Sequence, residues 1–192
     1  MPHKYTVRFF TENGTDENVL IRLYGFSSTS PVDFYCDTVN FDDFETGSNE
    51  YGLEVNEYLG EIQKVLVYVN AFMPVTDPKD LGNKAWFLSH LTIDSHITNS
   101  PPKTFMCKKP IGIKERCPEV DPKKLKRFVE IYPDGAKGLD QDPEGEEYKF
   151  TQPIKSSDTA GDYPWYNDPY WAENKREVLD RRGRKVDTSI YD

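Results

Sequence analysis

Eight short segments of alternating apolar and polar residues, each bounded by turn-forming residues, constrain this chain more than any other feature. Tyr5, Val7 and Phe9 alternate through residues 4–10, Asn13-Gly14 marks a turn, and Val19, Ile21 and Leu23 alternate through residues 18–24. Residues 31–36 and 50–55 predict two more strands, and residues 62–69 give the clearest pattern, through Val65, Val67 and Val69. Residues 86–93, 103–107 and 127–132 complete the set. A period of two returns a side chain to the same face at every second position, whereas a helix requires 3.6. No segment before residue 132 shows the helical period. Many short strands with Gly, Pro, Asn and Asp between them predict an all-β, antiparallel sandwich or barrel.

Aromatic residues make up 14% of the 192-residue chain, enough for a real core in one domain with appendages. After residue 132 the composition changes. Residues 133–162 hold few apolar side chains among many Gly, Pro, Asp and Glu, and read as a linker. Residues 163–192 form a tail that begins with the aromatic cluster Tyr-Pro-Trp-Tyr-Asn-Asp-Pro-Tyr-Trp and continues as a charged segment. The domain reading is therefore a sandwich over 1–132, an acidic linker over 133–162 and a tail over 163–192. On this reading a chain ended near Gly135 keeps a folded sandwich. Trp165, Tyr166 and Trp171 are the candidate residues for a protein partner, the other reading being that the tail folds back on the sandwich.

Charge is unevenly placed. Residues 1–100 hold 15 Asp and Glu against 6 Lys and Arg, so the whole net charge of −9 lies there. That opposes nucleic-acid binding, which needs basic surface to displace counterions. It permits a cation site, the other reading being that the acidity serves solubility. No window reaches the about 18 continuous apolar residues of a membrane span. The N-terminus lacks the apolar stretch of a secretory signal, and Cys36, Cys107 and Cys117 cannot all pair within one chain. These points, and an Asn13-Gly-Thr15 glycosylation acceptor that would crowd the acidic loop, favour a cytoplasmic protein, with secretion left open.

With the strands placed, the chain resembles a PLAT domain, the β-sandwich of lipoxygenases and some lipases, and most of all the N-terminal domains of animal lipoxygenases. The resemblance rests on Tyr5-Thr-Val, Gly14-Thr-Asp-Glu-Asn-Val19, Leu23-Tyr-Gly25, Asp42-Asp-Phe-Glu-Thr-Gly47, Leu59-Gly-Glu-Ile62 and Trp86-Phe-Leu, in that order. Phe105-Met-Cys107 and Val129-Glu-Ile131 extend it more weakly. It implies eight strands in two four-stranded sheets. It does not imply lipoxygenase chemistry, which requires a large helical domain with iron held mainly by histidines; here there are His3, His90 and His96 alone. No nucleophile–base pair, phosphate loop or cofactor fingerprint is present, so the expectation is a protein that is not an enzyme.

Asp42, Asp43 and Glu45 place three carboxylates within four residues, where like charges repel unless a cation or donors compensate. Calcium takes six to eight oxygens in irregular geometry and suits such a loop. The resemblance implies calcium held by the two loops that carry Gly14, Thr15 and Asp16 on one side and Asp42, Asp43 and Glu45 on the other. Asn18 and Asn40 are further oxygen donors within reach of these loops. Phe72-Met-Pro-Val75 is an apolar run in a stretch of Pro, Gly and charge. The resemblance implies that Phe72, Met73 and Val75 wedge into lipid; the alternative is that they cap the core. The expected function is a calcium-dependent, peripheral and reversible membrane-lipid dock. The rivals are a protein-interaction module, and a non-catalytic fragment that recruits a lipid-modifying enzyme.

Overall fold

The computed structural model describes residues 3–15, 17–30, 33–36, 47–70, 85–96, 100–144 and, as backbone, 150–151. All eight predicted strands form, and two more join them. They are β1 (His3–Asn13), β2 (Asn18–Gly25), β3 (Asp33–Cys36), β4 (Gly47–Val55), β5 (Ile62–Asn70), β6 (Trp86–Ser95), β7 (Lys103–Ile111) and β8 (Phe128–Tyr132), followed by β9 (Gly135–Leu139) and β10 (Phe150–Thr151). One sheet has four strands in the order β4-β1-β6-β7, the other six in the order β10-β3-β2-β5-β8-β9. All neighbours are antiparallel except β10, which runs parallel to β3. The four-plus-four arrangement expected from the resemblance is thus a four-plus-six arrangement. The two added strands lie in the span that composition assigned to a linker.

The core fills the space between the sheets. Tyr5, Val7 and Phe9 of β1 and Tyr51, Leu53 and Val55 of β4 face Val19, Ile21 and Leu23 of β2 and Val65, Val67 and Val69 of β5. Strand β6 departs from simple alternation. Trp86 and Leu88 are buried, and then Leu91 and Ile93, because the pairing with β1 and β7 shifts register between Leu88 and His90. Lys108, at φ 53°, takes the left-handed turn on β7 at the same place. The shift turns His90 out of the core to stack on Phe10 at 4.3 Å, so it is a sheet-face histidine. Gly25 closes the far end of β2, where a Cβ would stand 2.0 Å from the Leu59 carbonyl oxygen.

The six-stranded sheet is buried on both faces. Away from the core, Leu20, Tyr24, Tyr35, Leu66, Tyr68 and Phe128 form a second apolar cluster, with Leu139 of β9 packed against it. This differs from the one-sided pattern expected of a solvated sandwich.

All three cysteines are buried outside any disulfide, and burial pushes the Cys107 thiol up to about 11. The thiolate is the reactive form, so the native protein at pH 8 is expected to resist a thiol reagent and to release three reactive groups in denaturant. Ellman titration checks this; a native stoichiometry of one or more would contradict it.

Candidate functional site

Strand register brings several chain segments to one end of the sandwich. Asn13 of β1 pairs with Phe87, Thr11 with Gly47, Asn18 with Asn70, Val19 with Cys36 and Trp86 with Ile111. The strand ends bracketing residues 14–17, 37–46, 71–84 and 112–127 therefore share this end. Gly47, which closes the acidic Phe-Glu-x-Gly motif, sits at φ +126°, a conformation that favours glycine.

Beneath this rim the strand ends are tied together by side-chain bonds. Trp86 Nε1 donates to Thr11 Oγ1 at 2.9 Å, joining β6 to β1. Arg127 Nε donates to the Val69 carbonyl at 2.8 Å, and its Nη2 donates to Asn70 Oδ1. The Tyr35 hydroxyl donates to Asn18 Oδ1 at 2.6 Å, so the Asn18 oxygen proposed as a metal donor already serves the sheet.

Of the residues implied for calcium, Gly14 and Thr15 lie in the described structure, Gly14 half-buried and Thr15 buried. Thr15 Oγ1 accepts from the Glu17 amide at 3.1 Å, which tightens the turn. Asp16, Asp42, Asp43, Glu45 and Asn40 lie outside the described residues, as do Phe72, Met73 and Val75 of the apolar run and Trp165, Tyr166 and Trp171 of the tail. Among the described residues no group of three or more His, Cys, Asp or Glu is placed to hold a metal. The implied donors are all oxygens, two backbone carbonyls and four carboxylates, a set that fits calcium and disfavours softer metals.

The arrangement shows one residue pair that the sequence pattern did not. Glu17, in the same turn, is 4% exposed, and Arg116 grips it with a two-pronged contact: Nε to Oε2 at 2.5 Å and Nη2 to Oε1 at 2.8 Å. Arg116 ends a short 3-10 turn (Lys114–Arg116) between β7 and β8. A buried carboxylate needs such a partner. The pair fastens the β1–β2 turn to the β7–β8 connection and compensates one of the acids beside Asp16. The separation of 99 positions between the partners explains why no local signal announced it.

Among the described residues the three histidines form no catalytic arrangement. His96 Nε2 bonds to Thr6 Oγ1 at 2.7 Å, His90 Nδ1 to Ser89 Oγ at 2.9 Å, and His3 lies edge-on to Tyr58. Among the described residues no helix is long and apolar enough to cross a membrane.

The PLAT/LH2 domain family model matches residues 5–120, more than half of the chain. The chain belongs to the PLAT/LH2 domain family. The matched domain is a non-catalytic one, and β8, β9 and β10 lie beyond the matched span. Solved structures with this fold include the lipoxygenase variant Delta413-417:GS LOX, at TM-score 0.50 and 17% identity over 69% of this chain and 16% of that one. The same variant in complex with arachidonate aligns at TM-score 0.50 and 17% identity, over 68% and 16%. The coral 8R-lipoxygenase, described as calcium-activated through a C2-like domain, aligns at TM-score 0.47 and 19% identity, over 67% and 16%. The chain thus spans about a sixth of the length of these lipoxygenases. No curated protein sequence matches it.

Proposed function

We propose that this chain is a non-catalytic PLAT module that docks reversibly on lipid surfaces when calcium is bound. The observation that carries the reading is family membership over residues 5–120, in a sandwich whose register gathers the strand ends flanking the acidic and apolar loops at one end. Gly14, Thr15, Asp16, Asp42, Asp43 and Glu45 are the proposed calcium residues, and Phe72, Met73 and Val75 the proposed wedge. The cytoplasm is the proposed compartment, with peripheral attachment on calcium binding.

An acidic domain is repelled by an anionic leaflet, and each calcium offsets two negative charges at the loops. Burying one apolar side chain of the wedge contributes roughly 1.5–3 kcal/mol. Three such side chains give weak binding after immobilisation, so calcium and wedge are needed together. Sedimentation with phosphatidylserine-containing vesicles tests this. The full chain should pellet with calcium and stay soluble with chelator, and Phe72→Ser with Met73→Ser should weaken binding about tenfold or more. Moderate salt should weaken it partly, since screening reduces the charge contribution and leaves the apolar one. Equal pelleting of the double variant would remove the wedge from the reading.

The alternative is a non-catalytic part, or recruiter, of a longer lipid-modifying enzyme; the short share of the aligned lipoxygenases favours it. Calcium-insensitive capture of such an enzyme, lost when Trp165, Tyr166 and Trp171 become Ala, would support it.

A further inference from the structure

Arg22 stands in the middle of the outer face of the six-stranded sheet, on β2, with its side chain fully buried. Its guanidinium has five N–H donors. Nε donates to Asp33 Oδ1 at 2.6 Å and Nη2 to Asp33 Oδ2 at 2.9 Å. Nη1 donates to Asp142 Oδ1 at 3.0 Å, and Nη2 also donates to Asp142 Oδ2 at 3.1 Å. The fifth bond runs from Nη1 to the Tyr24 hydroxyl at 3.0 Å. Tyr24 in turn donates to Glu144 at 3.3 Å, and Tyr68 donates to Asp33 at 2.6 Å. Burial alone would lower the Arg22 pKa, but the bonds to Asp33 and Asp142 hold it above its ordinary value.

Two of the five donors go to a residue that belongs to no strand. Asp142 follows β9, which is the edge of the sheet, yet it reaches β2, past β8 and β5. Its Oδ1 also accepts the Glu144 amide at 2.9 Å, which shapes the segment where it crosses. Leu20, Tyr24, Tyr35, Leu66, Tyr68 and Phe128 share this outer face, and the chain leaving β9 meets them through Leu139 and through the Tyr24–Glu144 bond. At the opposite edge, β10 pairs with β3 through Phe150↔Asp33 and Thr151↔Phe34, so both flanks of the segment are anchored in the sheet.

We propose that residues 140–144 are a latch that covers this sheet face, with Arg22 as its lock and Asp142 as its bolt. The latch lies outside the family-matched span and apart from the loop end, so the inference is independent of lipid docking. The charge balance explains why it is a lock. Asp33 already neutralises Arg22, so Asp142 adds a second carboxylate held by hydrogen bonds and by proximity to the guanidinium. Without it two N–H groups of a buried cation lose their acceptor, a costly state that water relieves once the segment lifts. Lifting would present a surface of tyrosine, leucine and phenylalanine around one cation.

The test uses the full chain with Asp142→Asn combined with Glu144→Gln. Cleavage before Asp140 by an aspartate-specific endoprotease and the fluorescence of an apolar dye, anilinonaphthalene sulfonate, are followed at temperatures where circular dichroism shows the sheet folded. The expected result is cleavage at least tenfold faster and several-fold brighter dye, with cooperative melting retained. Glu144→Gln alone leaves the guanidinium paired and should give a smaller change in the same direction. Unchanged cleavage and dye binding would overturn the latch. So would changes that come only with loss of cooperative melting, since the segment would then be part of one folding unit.

Discussion

A chain ended after residue 135 is expected to melt roughly 10–20 °C below the full chain. The truncation removes β9, the Asp142–Arg22 contact and β10 together. Arg22 and Asp33 are fully buried and the Asp142 side chain is 6% exposed, so solvent screens the cluster little. Removing one partner of a buried ion pair typically costs about 3–5 kcal/mol. Asp33 remains, which keeps the ion-pair part toward the low end, and the uncovered Leu66, Tyr68 and Phe128 add an apolar contribution. Against a total stability of roughly 5–15 kcal/mol this is a large fraction. Differential scanning calorimetry decides it. An unshifted transition would support the sequence-based boundary at residue 132.

The second large effect is expected from calcium. A ligand that binds the folded state alone and is present at about 100 times its dissociation constant adds ~2.7 kcal/mol, enough to raise the melting temperature by roughly 5–10 °C. Asp43→Asn with Glu45→Gln should abolish that rise. The full rise in the double variant would place the ion elsewhere and end the residue-by-residue transfer from the family. Arg116→Gln is a useful companion. It breaks the buried pair with Glu17 and should lower the calcium-free melting temperature, whereas Arg8→Gln, in an exposed pair with Glu50, should change it little.

The sandwich was legible because its signal is local and repeated. Val65, Val67 and Val69 announce a strand by alternation, and Asn13-Gly14 announces the turn before the next one, with no reference to distant residues. Even so, β6 misled simple alternation at His90, since a register shift depends on its neighbours β1 and β7. The proposed acidic site rests on the sequence alone, since its carboxylates lie outside the described residues. Residue types and motif order pointed to oxygen ligation, and the register then showed that strand ends from four parts of the chain meet at one end.

The sequence by itself determined the fold class, the inward faces of β1, β2 and β5, and the family, because each rests on short-range periodicity or on motifs in fixed order. The tertiary structure alone decided what the outer face of β2 does. Leu20, Arg22 and Tyr24 alternate with the core residues and, read in isolation, belong to a solvated surface. Arg22 and Tyr24 bond to carboxylates of residues 142 and 144, some 120 positions away, and Leu20 packs in the outer cluster with Tyr35, Leu66, Tyr68 and Phe128. Glu17 likewise reads as one acid among several until Arg116 reaches it across 99 residues. A buried charge is tolerable only where its partner arrives through the fold, and that distance is the one quantity a linear sequence does not carry.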